Sequence, residues 1–252
     1  LPVFQPEKIS AAQSAAKLRE LGADALVVCA YGQLLSAEIL SMAPHGALNI
    51  HASLLPQYRG AAPIHRVILE GEKKTGISIM YMDEGLDTGD VMLMEEIMIP
   101  LEMTVGELDE RMTALGASLI VQALTLIEAG NAPRTPQRGP WSYAPKVNRA
   151  DCRLDFTKDA ISLYNTIRGC NPFPGAFAYL QGKLVKLYDA CYSEKLLPQP
   201  PGTLVGLEGD GLLVSAKNGS LLIKTLKPEG KRLMKSKDFW AGLHVKSNLT
   251  LE

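Results

Sequence analysis

Between residues 10 and 129 short apolar runs alternate with helix-length segments, and this alternation limits the fold more than any other feature. Residues 10–21 are Ala-rich with helical spacing and stop at Gly22, a normal helix C-terminal signal. Residues 25–30 are short and apolar, as expected of a parallel strand covered on both faces. A second short strand is expected at 47–51. Residues 60–70 then read as a helix, with Pro63 tolerable only in its first turn and Gly71 at its end. Strand-like runs return at 76–82 and 91–99. Thr104 and Glu107 have capping-box spacing and open a long helix to about residue 129. The pattern predicts an α/β domain with a largely parallel sheet.

From residue 131 to 145 the composition changes to Pro, Arg, Gly and Gln, which reads as a linker. Beyond it a helix is expected at 157–169, then short strands at 176–181, 184–190, 202–205, 212–216 and 221–226. Several short strands within about 100 residues predict a small barrel of the kind that includes the OB fold. The expected organisation is therefore a first domain at 1–132, a linker at 133–150 and a second domain at 151–252.

Composition bounds the function classes. At 46% hydrophobic and 21% charged residues the chain has the make-up of a globular protein. No uninterrupted apolar run approaches the roughly 18 residues that would span a bilayer, so no membrane partner is expected. The start, Leu1-Pro2-Val3-Phe4-Gln5-Pro6, has neither the basic residues nor the apolar stretch of a signal peptide. Four widely spaced cysteines form no C-x-x-C pair, and reduced thiols are expected rather than disulfides or a zinc site. The net charge of −1 hides an asymmetry. Residues 1–140 hold 10 Lys/Arg against 17 Asp/Glu, a balance of −7, and the remainder hold 16 against 10, a balance of +6. The back half could meet an anionic partner or simply be a solvated basic surface; charge does not decide between them.

Two segments carry chemistry. The first runs Leu48-Asn49-Ile50-His51-Ala52-Ser53-Leu54-Leu55-Pro56-Gln57-Tyr58-Arg59-Gly60-Ala61-Ala62-Pro63-Ile64. Residues two apart on a strand share a face, so Asn49 and His51 point together and Ile50 points to the opposite layer. An amide and an imidazole aimed at one spot can stabilise an oxygen that gains negative charge. A hydrogen-bonded structural pair is the plainer reading. The second segment, Met82-Asp83-Glu84-Gly85-Leu86-Asp87-Thr88-Gly89-Asp90, is a tight polar loop. Asx and Gly turn chemistry could explain it; the spacing is not that of an EF-hand, so no metal is expected. If the loop folds over the Asn49/His51 edge, Asp87 could relay protons or set the charge of the imidazole.

Together, Asn-x-His-x-Ser-Leu-Leu-Pro and Asp-x-Gly-Leu-Asp-Thr-Gly resemble the signature of the 10-formyltetrahydrofolate-dependent formyltransferases. The resemblance implies Asn49, His51 and Asp87 as catalytic groups, and Ser53, Leu54, Leu55 and Pro56 along the folate. It also implies a Rossmann-like formyltransferase domain followed by an OB-like barrel. Tyr58-Arg59-Gly60-Ala61-Ala62-Pro63-Ile64 is more similar to the methionyl-tRNA branch than to the glycinamide ribonucleotide branch, although sugar formyltransferases and formyltetrahydrofolate dehydrogenase carry related versions.

The second half adds Tyr143-Ala144-Pro145-Lys146, Ile167-Arg168, Asn171-Pro172-Phe173-Pro174-Gly175-Ala176, Pro201-Gly202-Thr203 and residues 226–234, in the order of the methionyl-tRNA branch. That branch implies initiator methionyl-tRNA and folate as partners, translation initiation as the process, a monomer, and a bacterial cytoplasm or organellar matrix. Lys224, Lys227, Lys231, Arg232, Lys235 and Lys237 would meet the tRNA. Two departures stand out. The family pattern opens with a strand, a Phe-Ala-Gly-Thr-Pro type turn and a basic loop, none of which precedes Leu1, so the first strands are expected to be missing and the natural protein to be longer. Phe156 stands where tryptophan is common.

Overall fold

The computed structural model describes residues 2–244 and 247–252, which divide into two compact units. The first comprises Leu1–Pro63, Lys74–Met98 and Glu110–Lys146; the second comprises Ile64–Lys73, Ile99–Asp109 and Val147–Glu252. In chain order the elements are α1 (Ala12–Glu20), β1 (Leu26–Val28), α2 (Ala37–Leu40), β2 (Ala47–His51), α3 (Pro63–Leu69), β3 (Lys74–Tyr81), β4 (Val91–Met98) and α4 (Val105–Glu128). They continue with a short 3-10 turn, Ala150–Cys152, then α5 (Ala160–Gly169), β5 (Ala176–Leu180), β6 (Lys183–Ser193), β7 (Leu204–Glu208), β8 (Gly211–Ala216), β9 (Gly219–Pro228), β10 (Met234–Lys235) and α6 (Ser236–Ala241).

In the first unit four strands form one sheet in the order β1-β2-β3-β4. β1 and β2 are parallel, with Val28 opposite Asn49. β3 and β4 are both antiparallel to their neighbours. The sheet is therefore mixed, where the alternation predicts a largely parallel one. The short connection after β3 accounts for one of the two reversals: the polar loop at 83–90 turns the chain back into β4, and it is too short for the crossover that parallel strands need.

The long helix α4 opens as its cap predicts. Thr104 donates its backbone N–H to Glu107 Oε2 at 2.8 Å, and Glu107 donates its own to Thr104 Oγ1 at 3.3 Å. By length and composition alone α4 could cross a membrane. Its buried hydrophobic residues, Val105, Leu108, Met112, Leu119, Ile120, Ala123 and Ile127, recur mostly at three- and four-residue spacing on one stripe, which is the pattern of a helix lying on a sheet. Gly116 continues that stripe: a Cβ there would stand 2.9 Å from Ile50 Cγ2, so the glycine lets the helix close onto β2.

The second unit is an antiparallel sheet ordered β5-β6-β9-β8-β7, with β10 on β9. The register slips around Asp189, where bulges bend the long pair β6–β9. The C-terminal tail touches both outer strands: Leu251 bridges to Leu180 at the end of β5, and Thr250 to Thr203 just before β7. Leu249 and Leu251 are buried in the core with Leu163, Ile167, Leu187, Val214, Leu221 and Ile223. Phe156 is also buried there, so an aromatic ring fills the position.

In the same unit Arg168 is 4% exposed and donates to Asn165 Oδ1 and Met103 O, and burial lowers its pKa from the ordinary value. Arg66 clasps Asp151 with two hydrogen bonds of 2.8 and 3.2 Å. Burial works to raise the Asp151 pKa, but Arg66 and the Asn148 backbone N–H outweigh it and hold the carboxyl below its usual value.

Candidate active site

β2 sets out the first part of the site. Asn49 and His51 lie two apart on it, and Ile50 between them packs on the helix face at Gly116, so the two polar side chains share the opposite face. Asn49 is half-buried and its amide makes no hydrogen bond among the described residues. His51 is 5% exposed and its ring is held between two acceptors. Nε2 lies 3.0 Å from the Tyr58 carbonyl oxygen and so carries a proton that it donates. Nδ1 faces Asp87 Oδ2 at 3.7 Å, an ion-pair separation too long for a hydrogen bond.

The polar loop brings Asp87 to this spot. Asp83 Oδ1 accepts from Gly85 N at 3.0 Å and from Thr88 Oγ1 at 2.7 Å, an Asx turn that uses the acid as a loop anchor. Gly89 is required by a close approach, since a Cβ there would stand 1.9 Å from the Tyr81 carbonyl oxygen. Asp87 itself is left-handed, with φ 53°, and its Oδ2 accepts from Gly60 N at 2.8 Å. Tyr58, whose carbonyl holds His51, is also left-handed, with φ 58°. Each such residue costs about 1–2 kcal/mol of backbone strain, and the two on either side of one imidazole mark a site where geometry is imposed by the surroundings.

The residues after His51 form a closed-in loop. Ser53 is fully buried; its hydroxyl donates to Gln57 O at 2.6 Å, and its carbonyl accepts from Ser78 Oγ at 2.7 Å. Ser78, opposite His51 in the sheet register, also accepts from Leu55 N at 3.2 Å. The Leu55-Pro56 peptide is cis. Leu54 reaches the backbone of β3 at Gly76, and Leu55 packs with Met80 and Val91. The Ser53 hydroxyl and the Leu55 side chain are engaged within the loop, and Leu54 and Pro56 are half-buried.

Residues 135–144, within the stretch that reads as a linker, are hydrogen-bonded along this site. Thr135 and Val91 exchange two 2.9 Å backbone bonds, Ser142 Oγ accepts from Tyr58 N, and Ala144 O accepts from Ala61 N and Ala62 N. Gln137 donates to the carbonyls of Asp87 and Gly89 and accepts from Arg59. Sequence reasoning passed over Ser78, Gln137 and Ser142. No motif or periodicity marks them, because their partners lie 23 or more residues away in the chain.

The result is an unspent amide donor, an imidazole with one edge toward a carboxylate, and that carboxylate, gathered on one face of the sheet. Such a group can stabilise an oxyanion and take up a proton from an attacking amine.

Residues 2–124 match the family model described as formyl transferase, and residues 146–244 match the formyl transferase C-terminal domain. Among similar proteins is the methionyl-tRNA formyltransferase of Pelotomaculum thermopropionicum, 40% identical over 252 residues, which are 100% of this chain and 80% of that one. The methionyl-tRNA formyltransferase of Symbiobacterium thermophilum is 43% identical over 96% of this chain and 75% of its own. Among solved structures, HypX from Aquifex aeolicus in complex with tetrahydrofolic acid superposes with a TM-score of 0.69 at 22% identity, over 89% of this chain and 39% of that one. The N-formyltransferase of Helicobacter canadensis, in complex with folinic acid and dTDP-3-aminofucose, gives 0.60 at 17% identity, over 77% and 70%. At these identities the two structures establish a shared fold.

Proposed function

The chain belongs to the methionyl-tRNA formyltransferase family, and from that premise we propose that it transfers a formyl group from 10-formyltetrahydrofolate to the free amino group of methionyl-tRNA. The product, N-formylmethionyl-tRNA, serves translation initiation. The observation that carries the catalytic assignment is the convergence of Asn49, His51 and Asp87 on one face of the first unit.

The neutral methionyl amine attacks the formyl carbon, and the carbonyl oxygen becomes an oxyanion. The Asn49 amide is free to donate to that oxygen, and His51 lies two residues along on the same face. With a proton on each nitrogen, the His51 ring meets both the Tyr58 carbonyl and the Asp87 carboxylate. Asp87, directly or through a water, accepts the proton shed by the amine and helps return one to the departing N10. Residues 53–56 lie along the folate, with the backbone and Leu54 and Pro56 as its contacts. Holding amine and formyl carbon in contact supplies much of the remaining acceleration.

Methionyl-tRNA meets basic residues of the second unit. Lys227, Lys231, Arg232, Lys235 and Lys237 are exposed there and Lys224 is half-buried. None of the six forms an ion pair among the described residues. We take the functional division as a catalytic domain at 1–132, a connecting segment at 133–150 and a tRNA-binding domain at 151–252. The bent antiparallel strands and the tail that touches β5 and the start of β7 support an OB-like barrel for the last. In this reading the protein works as a monomer in a bacterial cytoplasm or an organellar matrix and selects the initiator tRNA.

The test supplies 10-formyltetrahydrofolate with methionyl-tRNA, glycinamide ribonucleotide or an amino sugar nucleotide, and identifies the product. Formylmethionyl-tRNA is expected. A formylated small amine in its place would reassign the substrate class, and tRNA binding without folate turnover would remove the enzymatic reading altogether.

A further inference from the structure

We propose that Gln137 is a positioning residue for the His51–Asp87 pair, tying the left-handed Asp87 loop to the Arg59-Gly60 segment. The assignment rests on the catalytic reading of those two groups. Gln137 Nε2 donates to Asp87 O at 2.9 Å and to Gly89 O at 2.8 Å, while its Oε1 accepts from Arg59 Nε at 3.1 Å and Nη2 at 2.6 Å. Both protons and both lone pairs of the carboxamide are thus used. Its orientation is dictated by these partners: turned over, the amide would press its oxygen on two carbonyls and its NH2 on a guanidinium.

The four residues make a closed circuit. Gln137 grips the backbone of Asp87 on one side and the side chain of Arg59 on the other. The next residue, Gly60, donates its N–H to Asp87 Oδ2 at 2.8 Å. Gln137 therefore holds both ends of the hydrogen bond that aims the carboxylate, and the same oxygen faces His51 Nδ1 at 3.7 Å. Asp87 holds φ 53°, an unfavourable backbone region, in a loop whose local bonds run from Asp83 to Gly85 and Thr88 and leave the Asp87 carbonyl without a local donor among the described residues. The loop carbonyls need donors from outside, and Gln137 supplies them. The Arg59 guanidinium is braced in turn by the Trp141 ring, 5.6 Å from its centroid.

The deciding variant is Gln137→Glu. It keeps the volume and both acceptors for Arg59, but sets a carboxylate against the carbonyls of Asp87 and Gly89. A merely space-filling residue tolerates this change; a residue that aims Asp87 does not. In the purified protein with 10-formyltetrahydrofolate and methionyl-tRNA, kcat is expected to fall at least tenfold, as small misplacements of reacting groups do. KM for the formyl donor should stay within about threefold. The melting temperature should hold, and the 15N shifts of the His51 imidazole should move as its carboxylate neighbour swings away. A kcat within about twofold of the unsubstituted protein would overturn the proposal. Should the unsubstituted protein fail to formylate methionyl-tRNA, the functional reading falls by itself. The His51 shifts then decide the role of Gln137, a change sustaining it and identical spectra ending it.

Discussion

In the proposed mechanism His51 is the central residue, because its two ring nitrogens meet different partners. A carbonyl fixes the proton on Nε2 and leaves Nδ1 toward a carboxylate that is near but not bonded. Asn49, beside it, has an amide with no hydrogen bond to lose among the described residues. Replacing Asn49 or His51 with Ala should lower kcat by about 10²–10³, as the loss of one oxyanion donor does elsewhere. Near-normal turnover in either variant would contradict the assignment. A different residue governs acid stability. The Asp151 carboxyl titrates below its unfolded value because Arg66 favours its charged form. Its stabilising effect is therefore complete above an unfolded pKa of about 3.9 and is lost as pH falls through the lower folded value. Asp151→Asn should cost about 1 kcal/mol or less near neutrality, since the pair is partly open to solvent, and urea titrations should show the difference vanish in acid.

At the level of elements, β2 and α4 depend on each other. Ile50 links them, standing between Asn49 and His51 on the strand and pressing on the helix at Gly116. Gly116→Val puts branched atoms where even a Cβ is 2.9 Å from Ile50 Cγ2, so the helix or the strand must shift. A loss of about 1–3 kcal/mol is expected from such overpacking. Ile50→Ala removes the offending methyl, and the double variant should recover part of the loss in a thermal or chemical denaturation cycle. Strict additivity would mean that the two residues are not in contact. Most elements were legible from the sequence: β2, the start of β4, the α4 cap and Pro63 in the first turn of α3 all fall where pattern and capping chemistry put them. The short α2, β10 and α6 were not, because four- to six-residue helices and a two-residue strand carry too little periodicity to register.

Across the whole molecule charge is divided: the acidic excess lies in residues 1–140 and the basic excess in residues 141–252. If Lys231 and Arg232 contact phosphates, replacing both with Ala should weaken tRNA binding at every sequence alike. It should also flatten the plot of log affinity against log salt by roughly two units, about one per contact. A slope identical to that of the unsubstituted protein would return these side chains to a solubilising role.

Local chemistry was enough to mark Asn49 and His51 as same-face neighbours, to place the Asp83–Asp90 loop as a tight turn, and to separate an α/β first half from a strand-rich second half. Strand alternation, capping and turn preferences are short-range, so adjacent residues encode them. The resemblance to formyltransferases joined the two motifs. What the chain could not disclose locally were the partners that aim the side chains. Ser78 beneath the Ser53 loop, the Tyr58 carbonyl on His51, and Gln137 across Asp87 and Arg59 are long-range hydrogen bonds or products of strained backbone. The direction of β3 against β2 was likewise decided only in the assembled sheet. Pairing across the chain is selected by packing and by the need to satisfy buried donors and acceptors, and both are settled only when distant segments meet.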